Sequence, residues 1–279
     1  MLPLPAPSRR RQLWRWSAAG LLIGLLVYAL VEPSNDRNWT PDQQVLPRAT
    51  FEGDTVFVRN IRDVVYRSPS DYSVRHYDRA FDLRALESVW FVVEPFEGVQ
   101  GPAHTLVSFG FRDHQYLAIS AEIRKEVGET FSPLLGLLKQ YELMYVVADE
   151  RDVIKLRSNH RRDTVYLYPV KTTKERRRQM LVEMLERANQ LAERPEFYNT
   201  LTNTCTTNIV RHVNTLAPRR VPLSYKVLLP AYADELAHDL GLIDTTLTLE
   251  DARRRFRINE RAERFADDPE FSRRIRQTD

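Results

Sequence analysis

The feature that most constrains this chain is one apolar segment near its start. Residues 14–31 read WRWSAAGLLIGLLVYALV, and the sixteen residues after Arg15 carry no charge. This length is near the short end of what an α-helix needs to cross a bilayer. Arginines crowd residues 9–15, whereas Glu32 and Asp36 follow the segment. Because positive charge stays on the cytoplasmic side, we expect a single-pass anchor in the bacterial inner membrane, with a cytoplasmic N-terminus and a periplasmic domain.

A cleaved signal peptide and a buried helix of a soluble domain are the alternatives. The end of the segment, residues 28–33, lacks a clean small-x-small cleavage site, which favours an uncleaved anchor. The predicted parts of the chain are a cytoplasmic basic segment at 1–13, a transmembrane anchor at 14–31, a proline-bearing linker at 32–50, a periplasmic domain at 51–245 and a charged, helical C-terminal tail at 246–279. Apolar residues are sparse in the tail. We therefore expect it to be solvated or loosely docked, or to meet anionic lipid or a partner.

The composition is that of an ordinary globular protein. Hydrophobic residues make up 43% of the chain and charged residues 28%, which permits a sizeable core. There are 41 Lys and Arg against 38 Asp and Glu, and this small excess sits in the N-terminal arginines. We therefore expect no nucleic-acid partner. The sequence lacks G-x-S-x-G, H-E-x-x-H and Gly-rich phosphate loops, so we expect no serine-hydrolase elbow, no metal and no cofactor.

Segments rich in Val, Ile, Phe and Tyr recur after the linker, which is typical of β-strands. The predicted strands are Thr55–Val58, Asp63–Tyr66, Val89–Val93, Thr105–Phe111, Tyr116–Ile123, Leu143–Val147 and Val165–Val170. Later segments have apolar residues at helical spacing. The predicted helices are Thr173–Ala192, Cys205–Leu216 and Pro230–Leu240. We therefore expect an α+β fold in which a mainly antiparallel sheet packs against helices.

The chain has a single cysteine, Cys205, so it cannot form an internal disulfide. Cap-forming residues precede this cysteine, which predicts that a helix begins near Thr204. The inward face of that helix would carry Cys205, Ile209, Val213 and Leu216. One interpretation is that Cys205 is an inert, small hydrophobe in a core stripe. The other is that the helix dipole lowers the pKa of the thiol, while nearby backbone N–H groups bind an oxyanion.

A thiol nucleophile needs a base, and His104 is the best placed of the six histidines because it begins a strand. The hairpin that follows brings its two apolar faces together only if the connecting loop has an odd length. In that register His104 lies opposite or near Glu122 or Arg124. Glu122 would then orient the imidazole as the third member of a triad. The alternative is an ordinary cross-strand pair on the surface.

Further residues near these segments are candidates for substrate or oxyanion support. They are Asn203, Tyr198, Ser120 and Arg151. Arg151 belongs to a charged run at 149–152. With Arg157, this run predicts either a solvated ion-pair cluster or the lining of an active cleft.

Several blocks of the sequence, taken in order, resemble one bacterial family. The blocks are AHTLVSFGF at 103–111, ISAEIR at 119–124, GLLKQYELMYVVADERDVIKLR at 136–157, VYLYP at 165–169 and PEFYNTLTNTCTTN at 195–208, and with 77–83 and 87–96 they cover most of 60–244. They resemble the Lnb N-terminal periplasmic domain family. The resemblance implies a permuted relative of papain-like thiol enzymes. It implies Cys205 as the nucleophile, His104 as the base and Glu122 as a candidate orienting residue.

The named member of that family is a lipoprotein N-acyltransferase. The resemblance therefore implies acyl transfer or hydrolysis through an acyl-Cys205 intermediate, with membrane lipid or lipoprotein as the substrate. The family's transacylase members carry further membrane helices after this domain, whereas no second uncharged segment of spanning length follows Val31. The resemblance therefore supports the fold and the thiol site of this chain better than it supports a lipoprotein substrate. A cell-wall amidase or peptidase and a non-enzymatic envelope binding or scaffold protein are the alternatives, and the oligomeric state is left open.

Overall fold

The computed structural model describes residues 9–98, 100–217 and 220–277. The strands, β1 to β10 in chain order, are Arg48–Glu52, Thr55–Arg62, Val65–Tyr66, Tyr72–Ser73, His76–Asp82, Leu86–Pro95, Ala103–Phe111, Tyr116–Arg124, Glu142–Ala148 and Tyr166–Pro169. The helices, α1 to α9, are Arg9–Leu30, Glu150–Lys155, Lys174–Glu193, Cys205–Leu216, Tyr225–Leu228, Ala233–Asp239, Leu249–Phe256, Asn259–Arg264 and Phe271–Arg274. A π-helix at Leu156–Arg161 continues α2.

Within the described residues, eight strands form one sheet in the order β1-β2-β9-β8-β7-β6-β10, and β5 pairs with β2 outside this path. The β2–β9 contact is parallel. The other pairings in the sheet are antiparallel. The predicted α+β class with a mainly antiparallel sheet is therefore confirmed.

Both faces of the sheet are buried, because helices cover each of them. Strand β9 shows the consequence: Leu143, Tyr145 and Val147 belong to one core cluster, whereas Met144 and Val146 belong to the other. Helices α3 and α4 pack on the first face. A strand that is buried on both faces has a nearly continuous run of apolar residues in its sequence, and β9 has such a run.

The C-terminal tail covers the second face, contrary to the expectation that it is solvated or loosely docked. Phe271 and Ile275 are fully buried in the second core cluster, and Ile258 and Ala262 join them there. The apolar residues of the tail are few, but nearly all of them face the sheet.

The predicted linker at 32–50 also packs against the domain. Trp39 is buried, and the guanidinium of Arg124 lies 4.2 Å from its ring centre. The side chain of Gln43 is buried and donates to the carbonyl of Ile123. The segment is therefore an extension of the fold rather than a free spacer.

Helix α1 covers most of the predicted anchor at 14–31. Among the described residues, however, no helix combines the length and the hydropathy needed to cross a membrane. The predicted transmembrane anchor is thus not confirmed. The first eight residues of the predicted basic segment at 1–13 lie outside the described residues, as do the last two of the chain.

Candidate active site

The N-terminus of α4 positions Cys205. Thr204 is the N-cap: its hydroxyl accepts from the backbone N–H of Thr207, while the hydroxyl of Thr207 accepts from the N–H of Thr204. This capping box fixes where the helix begins, as the sequence predicted. Cys205 is therefore the first residue of α4, and its side chain is buried. The next residue, Thr206, joins the helix to β7 through a 3.1 Å contact between its hydroxyl and that of Thr105.

The hairpin of β7 and β8 positions His104. Val107 pairs with Ile119, and a continuation of that register sets His104 opposite Glu122, as the sequence predicted. The Nε2 atom of His104 lies 2.6 Å from the hydroxyl oxygen of Ser120 and 3.4 Å from Oε1 of Glu122. The hydroxyl of Ser120 donates to the same Glu122 oxygen at 2.8 Å. Ser120 and Glu122 thus hold one edge of the imidazole ring.

Arg157 supports this arrangement from the π-helix that follows α2. Its Nη2 donates to Oε1 of Glu122 at 3.0 Å, and its Nε lies 2.6 Å from Oε2 of Glu94. Its Nη1 also donates to the carbonyl of Val153 at 2.6 Å. Glu94 lies on β6 directly opposite His104. Both Arg157 and Glu94 are buried, so each charge depends on the other for compensation.

The Cys205 thiol and the His104 imidazole interact, and each shifts the pKa of the other. Burial raises the pKa of Cys205, but the hydrogen bond and positive charge of His104, together with hydrogen bonds from Thr105, lower it to about 7. Burial and the charge of Arg157 lower the pKa of His104, but Cys205 and Glu122 raise it to about 9. Because the pKa of the imidazole lies above that of the thiol, a substantial fraction of Cys205 is ionised near neutral pH.

The pKa values of the two supporting carboxylates are shifted in opposite directions. Burial raises the pKa of Glu122, but the hydrogen bond from His104 and the charges of Arg157, His104 and Arg62 bring it well below its usual range. Burial raises the pKa of Glu94, and the charges of Arg157 and His104 do not fully offset that effect. Glu122 therefore favours its anionic form beside the imidazole, whereas Glu94 relies on the charge of Arg157 to offset its burial.

A cavity of about 410 Å³ opens over these groups, a size in the range of small-molecule sites. His104, Glu122, Arg157 and Cys205 are among the residues that line it. Its apolar lining residues include Phe96, Pro102, Phe131, Pro133, Leu201, Leu228 and Leu229. The described residues contain no group of three or more His, Cys, Asp or Glu side chains placed to hold a metal ion.

Of the remaining predicted site residues, Tyr198 is among those that line the cavity, whereas Asn203 and Arg151 are not. Tyr198 lines the cavity and is buried. Asn203 instead supports the loop before α4, because its amide donates to the carbonyl of Phe197 and accepts from Asn208. The structure does not bring Arg151 to the cavity. That side chain is exposed and donates to the carbonyls of Asp268 and Pro269 in the tail.

The predicted solvated cluster at 149–152 is largely buried. Glu150 and Asp152 are fully inaccessible, and Asp152 accepts two hydrogen bonds from Arg62 at 2.7 and 2.9 Å. The alternative interpretation, that this region lines a cleft, holds for Arg157. Glu94 was overlooked, although a carboxylate at the end of the apolar strand WFVVEP was a usable signal.

Taken together, the fold and the site define an α+β domain in which a buried cysteine and a partly exposed histidine, supported by a carboxylate, line a cavity. Residues 72–231, more than half of the chain, match the Lnb N-terminal periplasmic domain, and the chain belongs to this family. The predicted family assignment is thus confirmed, and the family's description supports a periplasmic location for the domain. No curated protein and no solved structure matches the chain.

Proposed function

We propose that this protein is a periplasmic thiol enzyme that transfers or hydrolyses acyl groups through an acyl-Cys205 intermediate. The observation that carries the proposal is that Cys205 and His104 line the same cavity, with Ser120 and Glu122 holding the imidazole ring. The pKa values of about 7 for Cys205 and about 9 for His104 fit a thiolate, the nucleophilic form of cysteine, next to an acid that can protonate a leaving group.

The proposed reaction has two steps. The Cys205 sulfur attacks the carbonyl carbon of an ester or amide, the bond to the leaving oxygen or nitrogen breaks, and His104 gives its proton to that atom. In the second step an amine or water attacks the thioester, His104 takes up its proton, and Cys205 leaves as the thiolate. The first backbone N–H groups of a helix have no acceptor within it, so those at the start of α4 are suited to hold the oxyanion.

The composition of the cavity supports an amphiphilic substrate. Its lining combines apolar side chains with the Cys–His pair and Arg157. An acyl chain on lipid or lipoprotein fits this mixed lining better than a uniformly polar cell-wall peptide does. We also propose that the fold is a permuted relative of papain-like enzymes, because the histidine strand precedes the cysteine helix.

Membrane attachment through α1 belongs to the same proposal. The helix begins with arginines, and its apolar side chains Leu21, Leu22, Ile23 and Leu26 are all exposed. Exposed apolar residues on every side of a helix are suited to lipid rather than to water. Attachment would keep Cys205 near acyl-bearing substrates.

Acyl trapping tests the proposed chemistry. The full-length chain in detergent would be mixed with p-nitrophenyl decanoate and, separately, with a muropeptide, and intact mass would be recorded. We expect a decanoyl adduct on Cys205 that hydroxylamine removes, no adduct in Cys205→Ser, and slower formation in His104→Ala. His114→Ala, in an exposed turn, is the matched control. Absence of the adduct, or equal rates in the two histidine variants, would overturn the proposal. Reaction with the muropeptide alone would favour the amidase.

A further inference from the structure

Exposed apolar side chains surround the mouth of the Cys205 cavity. Phe131, Leu201, Leu228 and Leu229 line the cavity, yet between 36% and 51% of each residue is accessible to solvent. Leu134, beside Phe131 in the chain, is 66% exposed. We call these five residues the apolar rim. Apolar surfaces of this kind on a folded protein mark sites of interaction.

The two loops that flank Cys205 in this rim are held in place by the fold. The hydroxyl of Thr200 donates to the carbonyl of Pro133 at 2.6 Å, which joins the Phe131–Leu134 loop to the loop that carries Leu201. On the opposite side, the N–H of Ala231 donates to the carbonyl of Gly101 at 3.0 Å and fixes the segment after Leu229. The apolar rim is therefore a built surface rather than a set of loose side chains.

The last turn of α1 lies against the loop that follows Leu134. Lys139 donates from Nζ to the carbonyl of Tyr28 at 3.0 Å and to that of Val31 at 3.2 Å. The hydroxyl of Tyr28 donates to the carbonyl of Leu137 at 3.4 Å. The loop that carries Leu134 thus caps the helix. The apolar side chains of α1 and the rim residue Leu134 therefore adjoin the same loop.

Under the membrane attachment proposed above, the medium around α1 is lipid. This fits the exposure of Leu21, Leu22 and Ile23, which are consecutive and point in different directions around the helix axis. A single protein partner covers one face of a helix, whereas lipid covers all of them. Tyr28 and Lys139 at the junction are residue types that place an apolar body in the membrane and a polar tip at its surface.

We infer that the apolar rim seats on the lipid surface that receives α1, so that the mouth of the Cys205 cavity opens directly onto the bilayer interface. An acyl-bearing substrate would then reach Cys205 from the lipid without crossing water. The identity of that substrate rests on the proposed function, but the seating of the rim does not depend on any activity.

Fluorescent probes of depth test the seating. On a Cys205→Ser background, the environment-sensitive dye NBD would be attached to Leu134→Cys and, in a separate protein, to Leu201→Cys. The matched control is Leu240→Cys, an exposed leucine that does not line this cavity. Each full-length protein would be reconstituted in phosphatidylethanolamine and phosphatidylglycerol vesicles with and without doxyl-labelled lipid. Apolar side chains at an interface lie roughly 5–10 Å into the headgroup and acyl boundary, within reach of the quencher.

We expect blue-shifted emission and at least about twofold stronger lipid quenching at both rim positions than at Leu240. Equal quenching at all three positions, exposure of the rim dyes to water on vesicle-bound protein, or failure of the protein to bind vesicles would each overturn the inference. Because Cys205 is absent from these proteins, the result is independent of acyl trapping. Lipid seating without a Cys205 adduct would refute the proposed function alone, and an adduct without seating would refute this inference alone.

Discussion

The hydroxyl of Ser120 lies 2.6 Å from Nε2 of His104, and it donates to Glu122. A serine hydroxyl has one hydrogen. Because that hydrogen is given to Glu122, the same oxygen accepts from the ring, which places a proton on Nε2 of His104. The other ring nitrogen, Nδ1, is then the atom available to the thiol as a base. Ser120 and Glu122 together therefore set the tautomer that the proposed chemistry needs.

The separate roles of Ser120 and Glu122 can be measured. Glu122 raises the pKa of His104, whereas Ser120 carries no charge. We therefore expect Glu122→Gln to raise the pKa of Cys205 and to reduce its thiolate fraction at neutral pH about fivefold, while Ser120→Ala changes it less. Thiolate absorbance against pH measures this fraction. A larger effect of Ser120→Ala would instead make the hydroxyl the principal partner of the ring.

Removal of the imidazole should change how the reaction rate of the thiol depends on pH. In the wild type the pKa of Cys205 is about 7, so thiolate forms as pH rises through that value. Without His104 the pKa returns at least to the ordinary 9.0, and the thiolate at neutral pH falls about fiftyfold. A thiolate of higher pKa is intrinsically more nucleophilic, which offsets part of this loss. We expect iodoacetamide to alkylate His104→Ala roughly five- to tenfold more slowly at neutral pH.

The alkylation profile also has a control that leaves the pair intact. His160→Ala removes a histidine in the same π-helix as Arg157, away from the thiol. Its profile should follow the wild type. If His104→Ala also followed the wild type, or if Cys205 were unreactive in the folded wild type, Cys205 would be an inert core residue.

The Arg157 guanidinium stabilises the site by compensating two carboxylates. Arg157→Met leaves Glu94 buried without its cation, which costs about 3–5 kcal/mol in the free energy of unfolding. Because burial raises the pKa of Glu94, this carboxyl takes up a proton at a higher pH than an exposed glutamate does. The deficit of the variant should therefore shrink as pH falls from neutral towards that pKa. Urea denaturation at several pH values measures it.

Two variants make the Arg157 result specific. Arg84→Met removes an exposed arginine that pairs with Asp82, and it should cost less than about 1 kcal/mol. Glu94→Gln combined with Arg157→Met should recover part of the loss. A double variant no more stable than Arg157→Met alone would show that the cost arises from lost packing, not from the uncompensated charge.

Much of the site followed from local rules in the sequence. The alternation of β7 and β8 allowed a register in which His104 meets Glu122, and the observed pairing of Val107 with Ile119 has that register. The polar residues before Cys205 predicted the cap at Thr204. Both features depend on neighbours in the chain or on one hairpin, and short-range patterns are sufficient for such features.

The parts that the sequence did not yield depend on contacts between distant segments. Arg157, which contacts Glu122, lies in the π-helix that follows α2. The spacing of apolar residues in a sequence does not predict a π-helix. Arg151 was selected from the same charged run, but it points to the tail. The run contains buried and exposed charges side by side, so only the packed structure separates them.

The docking of the tail gives the last prediction. Arg276 forms two hydrogen bonds with Glu150, at 2.6 and 2.8 Å, and its guanidinium lies 3.9 Å from the ring centre of Tyr116. Glu150 is fully buried, so Arg276→Gln leaves an uncompensated carboxylate and should cost about 3–5 kcal/mol. Arg276→Lys should recover only part, because a single ammonium cannot make both bonds in this geometry. Urea denaturation and limited proteolysis of the tail measure the two effects. Arg254→Gln, which removes an exposed arginine on α7, should be close to neutral. If Arg276→Gln were equally neutral, the tail would be loosely held in solution, as its charge pattern alone predicts.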